Sequence, residues 1–187
     1  MSPILKGVVA SGKTASTIST SSYESIATAT VTAAGTTSVT FTSIPQTYTH
    51  LEVRATTVNA SNFYTIKLRF NGDSGANYQA SQLFSYNTAN YGGDGPIADT
   101  GAMIGVGAKN SASYAAAMVA KIYEYKATNL YKRWLAQGGV DGNGTGQTKL
   151  TYGYWSNQNA ITSIECYADG STMNQYTQFA LYGIKGA

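Results

Sequence analysis

The sequence predicts an all-β protein, an antiparallel β-sandwich, jelly-roll-like, with an extended N-terminal arm. Three observations predict it. From Glu24 onward, apolar and polar residues alternate with period two through most of the chain. Turn pairs such as Asn71-Gly72 and Asp169-Gly170 interrupt that alternation about every 8–12 residues. Charged residues are only 11% of the 187, against about 25% in an average domain. Ser, Thr, Ala, Gly and Asn fill the gap, with 15 Tyr. This mix suits short strands with polar outer faces. It also suits surfaces that meet other proteins, where Tyr is favoured and charge is depleted. The length fits one domain, or one domain plus an arm, and such a domain buries roughly 70% of its unfolded surface without staples.

The elements follow in order. Residues 1–22 carry Ile4, Leu5, Val8 and Val9 and then the aperiodic run SGKTASTISTSS. They read as an anchoring arm that a partner holds, and residues 23–187 read as the sandwich body. Ile26, Val31, Val39 and Phe41 belong to strands separated by Ala34-Gly35. Leu51 and Val53 face in, while Glu52 and Arg54 face out. Tyr64–Phe70 is the cleanest strand. The Asn71-Gly72 pair directly after it is a strong hairpin signal, because both residues tolerate φ > 0.

Residues 71–113 are rich in glycine and read as long loops, with short strands near Gln82–Tyr86 and Ala102–Ala108. Tyr114–Tyr125 contains alanines, but Met118, Ala120 and Ile122 alternate with Val119, Lys121 and Tyr123, so it reads as a strand. Leu130–Val140 and Lys149–Trp155 flank the turn sequence DGNGTG. Ile161–Ala168 ends at Asp169-Gly170. Tyr176–Lys185 closes the sheet with Phe179 and Leu181 inward. Pro3, Pro45 and Pro96 all fall outside the predicted strands.

Three segments also carry a resemblance. SIPQTYTHLEVR (Ser43–Arg54), RFNGDSGANY (Arg69–Tyr78) and FALYGIKG (Phe179–Gly186), together with TSSYESIATATV (Thr20–Val31), resemble the spaced signature of a family of tailed-bacteriophage virion proteins met in phages of aquatic bacteria. The resemblance implies a non-enzymatic structural protein of the virion. Its partners would be other virion proteins of the tail, baseplate or capsid. It also implies a homo-oligomer, with a trimer expected from threefold surface positions. A tail- or fibre-associated place is expected slightly ahead of a capsid decoration role. A host-glycan receptor-binding module is the alternative of a different class.

Motifs for chemistry are weak by comparison. GVVASGKT (Gly7–Thr14) matches the phosphate-loop pattern letter for letter, but that pattern needs a buried strand before it and a helix after it. Ile4-Leu5 is too short for the strand, and Ala15–Ser22 is a poor helix. Asp141, Asn143 and Thr145 resemble the first half of a calcium loop, whose last position demands a carboxylate. Tyr152 stands there, so a turn is expected. Asp73 is expected to accept backbone N–H groups after Gly72.

His50 is the one histidine and reads as a structural hydrogen-bonding residue. The nine acidic residues show no informative pairing. No catalytic residue, cofactor or metal site is expected. Cys166, in phase with Ile164, reads as a buried inert thiol. A formal charge of +3 is too scattered for a nucleic-acid footprint. No secretory signal is read at Met1–Lys6, and no apolar run approaches the roughly 18 residues of a membrane span.

Two aromatic groups, YKRW (Tyr131–Trp134) and YGYW (Tyr152–Trp155), lie on strands joined by the Asp141–Gly146 turn and are therefore neighbours. Core packing plus a subunit interface is the favoured reading for Tyr131, Trp134, Tyr152 and Trp155. Stacking on host glycan rings is a second reading. Stacking on single-stranded nucleic acid, helped by Lys132 and Arg133, is a third.

Overall fold

A computed structural model describes residues 22–87, 90–109, 114–142 and 144–186. Its elements are all strands: β1 (Tyr23–Thr30), β2 (Ser38–Phe41), β3 (His50–Thr57), β4 (Thr65–Phe70), β5 (Tyr78–Tyr86), β6 (Asn90–Asp99), β7 (Ala102–Val106), β8 (Ala116–Tyr123), β9 (Lys132–Asp141), β10 (Gly146–Trp155), β11 (Ile164–Ala168) and β12 (Gln178–Ile184). They form an eight-stranded sheet, β1-β12-β3-β8-β9-β10-β5-β6, and a four-stranded sheet, β2-β11-β4-β7. All pairings between these strands are antiparallel.

The topology is simple once the β5–β6 and β9–β10 hairpins are set aside. The other eight strands pair as a folded-over double strand: β1 with β12, β2 with β11, β3 with β8, β4 with β7. Rolling that double strand lays β12 beside β3 and β11 beside β4. This is jelly-roll order. Both hairpins then extend the same sheet. β9 adds to β8, β10 to β9, β5 to β10 and β6 to β5.

Alternate residues fill the space between the sheets. Leu51, Val53, Met118, Ala120, Ile122, Phe179 and Leu181 come from the large sheet, and Ile66, Leu68, Phe70, Ile164 and Cys166 from the small one. Cys166 lies in this core, and burial pushes its thiol pKa well up. The β9–β10–β5 extension is held by an aromatic joint. Trp155 meets Phe70 edge-on at 5.6 Å between ring centres and stacks with Tyr78 at 6.3 Å. Trp134 meets Tyr78 edge-on at 6.3 Å.

Polar ends of these rings cross between the sheets. The Trp155 indole N–H donates to Asp73 Oδ2 at 2.7 Å, and the Trp134 indole N–H donates to the Met103 carbonyl at 3.0 Å. The Tyr78 hydroxyl accepts from the Phe70 N–H and donates to the Asp73 carbonyl. Gly153 lies opposite Trp134, where a Cβ would collide with the indole and the Gln79 carbonyl.

A second link lies farther along β4. Lys67 bridges Asp99 at the end of β6 and Asp169 just after β11. Burial works against its charge, yet the two hydrogen-bonded carboxylates outweigh that, and its pKa is raised.

Several expectations are corrected. Asn71 (φ 54°) and Gly72 (φ 72°) do make a tight turn, closed by the Asp73 N–H to the Phe70 carbonyl. It is not a hairpin, because β4 and β5 belong to different sheets. The Asn71 side chain instead holds the segment before β11: its Oδ1 accepts from the Thr162 and Ser163 N–H groups, and its Nδ2 donates to the Ala160 carbonyl.

The glycine-rich region is not mainly loop. β5 starts at Tyr78, and Asn90–Asp99 forms β6, with Pro96 inside it. The glycines and Pro96 of β6 fit its place at the edge of the sheet, where a missing N–H leaves no ladder bond unmade. The segment 161–163 precedes β11 rather than belonging to it. The arm residues Ile4, Leu5, Val8 and Val9 and the GVVASGKT segment lie outside the described residues, as does Asn143.

Asp73 gives the joint a pH signature. Burial opposes its charge, but hydrogen bonds from Trp155, Asn77 and the Gly75 N–H outweigh burial, and its pKa is lowered. A carboxylate depressed in the folded state stabilises above its unfolded value of about 3.9 and loses that contribution as pH falls through the lower folded value. Asp73→Asn should therefore cost about 1 kcal/mol at neutral pH. The gap from the parent chain should narrow as pH drops below about 4. Chemical denaturation across that range checks it.

Candidate interaction face

Pairing registers fix which side chains share the outer face of the eight-stranded sheet. One row runs Ala180, Arg54, Val119, Gln137, Leu150, Leu83 from β12 to β5. A neighbouring row runs Tyr182, Glu52, Lys121, Leu135, Tyr152, Ser81. On the other side lie Gln178, Thr56, Ala117, Gly139, Thr148 and Ser85. Their sequence neighbours Val53, Met118, Ala120, Trp134 and Ala136 are buried between the sheets, so these rows point away from the core.

This face is unusual in what it exposes. Eleven large hydrophobic residues are exposed among the described residues, and seven of them lie here: Tyr23, Leu83, Tyr131, Leu135, Leu150, Tyr152 and Tyr154. Leu83 is 64% accessible although it stands in the body of a strand. Scattered apolar residues on a surface need no explanation, but a contiguous cluster marks a contact site. Leu83 and Leu150 face each other across β5 and β10, and Leu135 and Tyr152 across β9 and β10. Together they make a ridge.

Beside the ridge runs a groove of about 950 Å³. Leu83 and Leu150 form one wall, Arg54 and Tyr182 the other, and small side chains including Ala117, Ala180 and Thr148 floor it. The Arg54 wall is held in place. Its Nε donates to Glu52 at 2.7 Å, which raises the guanidinium pKa. Its planar group lies over the Tyr182 ring at 4.7 Å and the Tyr23 ring at 5.7 Å. The Tyr23 hydroxyl also donates to Glu52. Glu52 thus points outward as expected but is covered by its neighbours.

The four aromatic residues singled out in the sequence divide. Tyr131 and Tyr152 are on the outer face, each about half exposed. Tyr131 stacks on Tyr154 with centres 5.9 Å apart and planes 7° from parallel. Trp134 and Trp155 are not on this face. Both are fully buried in the joint, so neither can stack on a sugar or a base. Lys132 also turns inward. Its amine donates to the Leu130 and Gln158 carbonyls, and burial lowers its pKa. Arg133 pairs with Glu124 at 3.1 Å. The nucleic-acid reading loses both tryptophans and Lys132, and its remaining cation, Arg133, is paired with Glu124.

The sequence reading misses Leu83, Leu135, Leu150 and Tyr182 as members of this face; it has Arg54 facing outward without a contact role, and Tyr154 only within YGYW. A signal was present. In β9 and β10 the outward positions carry Leu135, Leu150, Tyr152 and Tyr154, where a solvated sheet would show polar residues.

Other flagged groups have structural partners. His50 Nδ1 accepts the Glu124 N–H at 2.9 Å, and its ring meets Tyr123 edge-on. Asp73 accepts the Gly75 N–H besides Trp155. The Asp141–Gly146 connection closes by the Gly142 N–H to the Thr145 carbonyl. Among the described residues, no three His, Cys, Asp or Glu side chains gather as a metal site. Comparison with protein-family models, with curated proteins and with solved structures yields no match.

The split between rings in the joint and rings on the face predicts opposite costs. Tyr152→Ala should change unfolding free energy by no more than about 0.5 kcal/mol. Trp134→Ala should cost about 3–5 kcal/mol. Urea unfolding of the two variants measures both.

Proposed function

We propose that this chain is a non-enzymatic structural protein of a tailed-bacteriophage particle, carried on the particle surface in association with the tail or its fibres. The observation that carries the reading is where the signature residues go: they make the joints of the fold. In SIPQTYTHLEVR, the Tyr48 ring lies against Gly183 of FALYGIKG, and its hydroxyl donates to Glu24 of the Thr20–Val31 segment at 3.0 Å. Lys185 of FALYGIKG pairs with the same Glu24. In RFNGDSGANY, Asn71 ties down the approach to β11, while Asp73 and Tyr78 complete the aromatic joint. Residues that define a signature by holding a shape suit a protein whose task is to be a shape.

Two further features support an assembly role. The body is poor in charge. Its outer face gathers exposed leucines and tyrosines, the residue types that protein contacts use at the expense of charge. The capsid decoration reading shares both features and differs only in location. The host-glycan reading retains Tyr131, Tyr152 and Tyr154 as exposed rings but no longer has Trp134 or Trp155.

Deleting residues 1–20 tests the division of labour. The truncated body should stay folded, with its melting temperature unchanged, and should be lost from particles. A truncated chain that unfolds would make the N-terminal residues part of the core. Antibody labelling of intact particles then locates the protein. Label on the tail supports the reading, label over the capsid lattice replaces it with the decoration role, and absence from particles overturns it.

A further inference from the structure

We propose that the outer face of the eight-stranded sheet binds a second copy of this chain, with the Leu83–Leu150 ridge of each copy seated in the other's groove. The inference stands apart from the virion reading, because it concerns the purified chain alone. Its basis is that one face carries both halves of a fit. The ridge of Leu83, Leu135, Leu150 and Tyr152 stands on β9, β10 and β5. The groove beside it, about 950 Å³, is lined on β12, β3 and β8 by Ala180, Thr56 and Ala117 together with the larger Gln178, Arg54 and Val119. Protrusion and recess side by side are what a reciprocal contact about a twofold axis requires, since each patch must complement itself.

Charge permits the same contact. Of the charged groups of this face, Arg54 is paired with Glu52 and Arg133 with Glu124, which leaves Lys121, among the described residues, as the one charge in the two central rows without an ion pair. A like surface brought against it therefore meets little net field. The ridge itself is uncharged, which matches the depletion of charge at the centre of protein contacts.

Size permits it as well. Six strands about 4.8 Å apart, with about eight residues each at about 3.4 Å, present roughly 24 by 27 Å. That is near the roughly 800 Å² that each partner of a stable contact buries. The resemblance to particle proteins implies threefold positions. A ridge and groove on one face favour a reciprocal pair instead.

The test uses the full chain with Cys166 left in place, since that thiol is buried. Sedimentation equilibrium should give the mass of two copies. Leu83→Glu should shift the mass to one copy without lowering the melting temperature, because the residue is exposed. Oxidising a mixture of Leu83→Cys and Ala117→Cys chains should yield the mixed cross-linked pair. A mixture of Leu83→Cys and Thr40→Cys, the latter on the outer face of the small sheet, should not. A parent chain that stays single at the highest concentration reached overturns the proposal. So does a paired chain whose mass ignores Leu83→Glu, or equal cross-linking to both cysteine positions. A single chain that binds a glycan array through Tyr131, Tyr152 and Tyr154 would overturn it in favour of the glycan reading.

Discussion

Everything distinctive about this jelly roll depends on one joint, the packing of Trp134, Tyr78, Trp155 and Phe70 with Asp73 at its polar end. Eight strands suffice for the roll itself. The two inserted hairpins double the width of one sheet, and the added half is met from the partner sheet by its edge strand β7, which packs on β9 and β10. The aromatic joint adds to that support. It buries the large rings of β5, β9 and β10 against the end of β4 and anchors both indoles by hydrogen bonds to groups on the opposite side. Buried aromatic pairs of this kind are worth about 0.5–1.5 kcal/mol beyond their area. The fit is close enough that Gly153 must lack a side chain where the Trp134 ring passes.

A wide sheet held flat on one side has a wide free side. The inner face of the extension takes the tryptophans, and the outer face is left with leucines and tyrosines in full view. The segments that carry the resemblance hold this surface in place. Tyr48, Glu24, Gly183 and Lys185 lock the β1, β12 and β3 side, while Asp73 and Tyr78 lock the β5 and β10 side. The groove and ridge lie between the two locks. A contact surface so positioned is pre-organised, and association then loses less conformational freedom than it would on loops.

The fold class was legible because alternation with period two survives in β3, β4, β8 and β12, where core residues stand at every second position. The joints were partly legible: Asp73 and His50 do the hydrogen bonding their positions suggested. The rest was hidden for physical reasons. Asn71-Gly72 has the conformation its residue types demand, but a turn sets only the local reversal, and tertiary packing sent β4 and β5 to different sheets.

The edge position of β6 tolerates glycines and a proline that would rule out a central strand. In β10 the pattern runs in opposite phase: Thr151 and Gly153 face the core, while Leu150, Tyr152 and Tyr154 face out. Read alone, that strand turns the wrong side inward. Only its register against β9, fixed by Trp134 opposite Gly153, shows that the apolar stripe is surface. The same register moved Trp134 and Trp155 from the face to the joint.

The central claim is that the outer face of the eight-stranded sheet is where this body meets protein. Cryo-electron microscopy of the particle proposed to carry this chain, at a resolution that shows side chains, tests it most directly. The account predicts that Leu83, Leu135, Leu150 and Tyr152 are covered by protein density, from another copy or from a neighbouring component. If those residues face solvent while the four-stranded sheet carries the contacts, the claim is wrong.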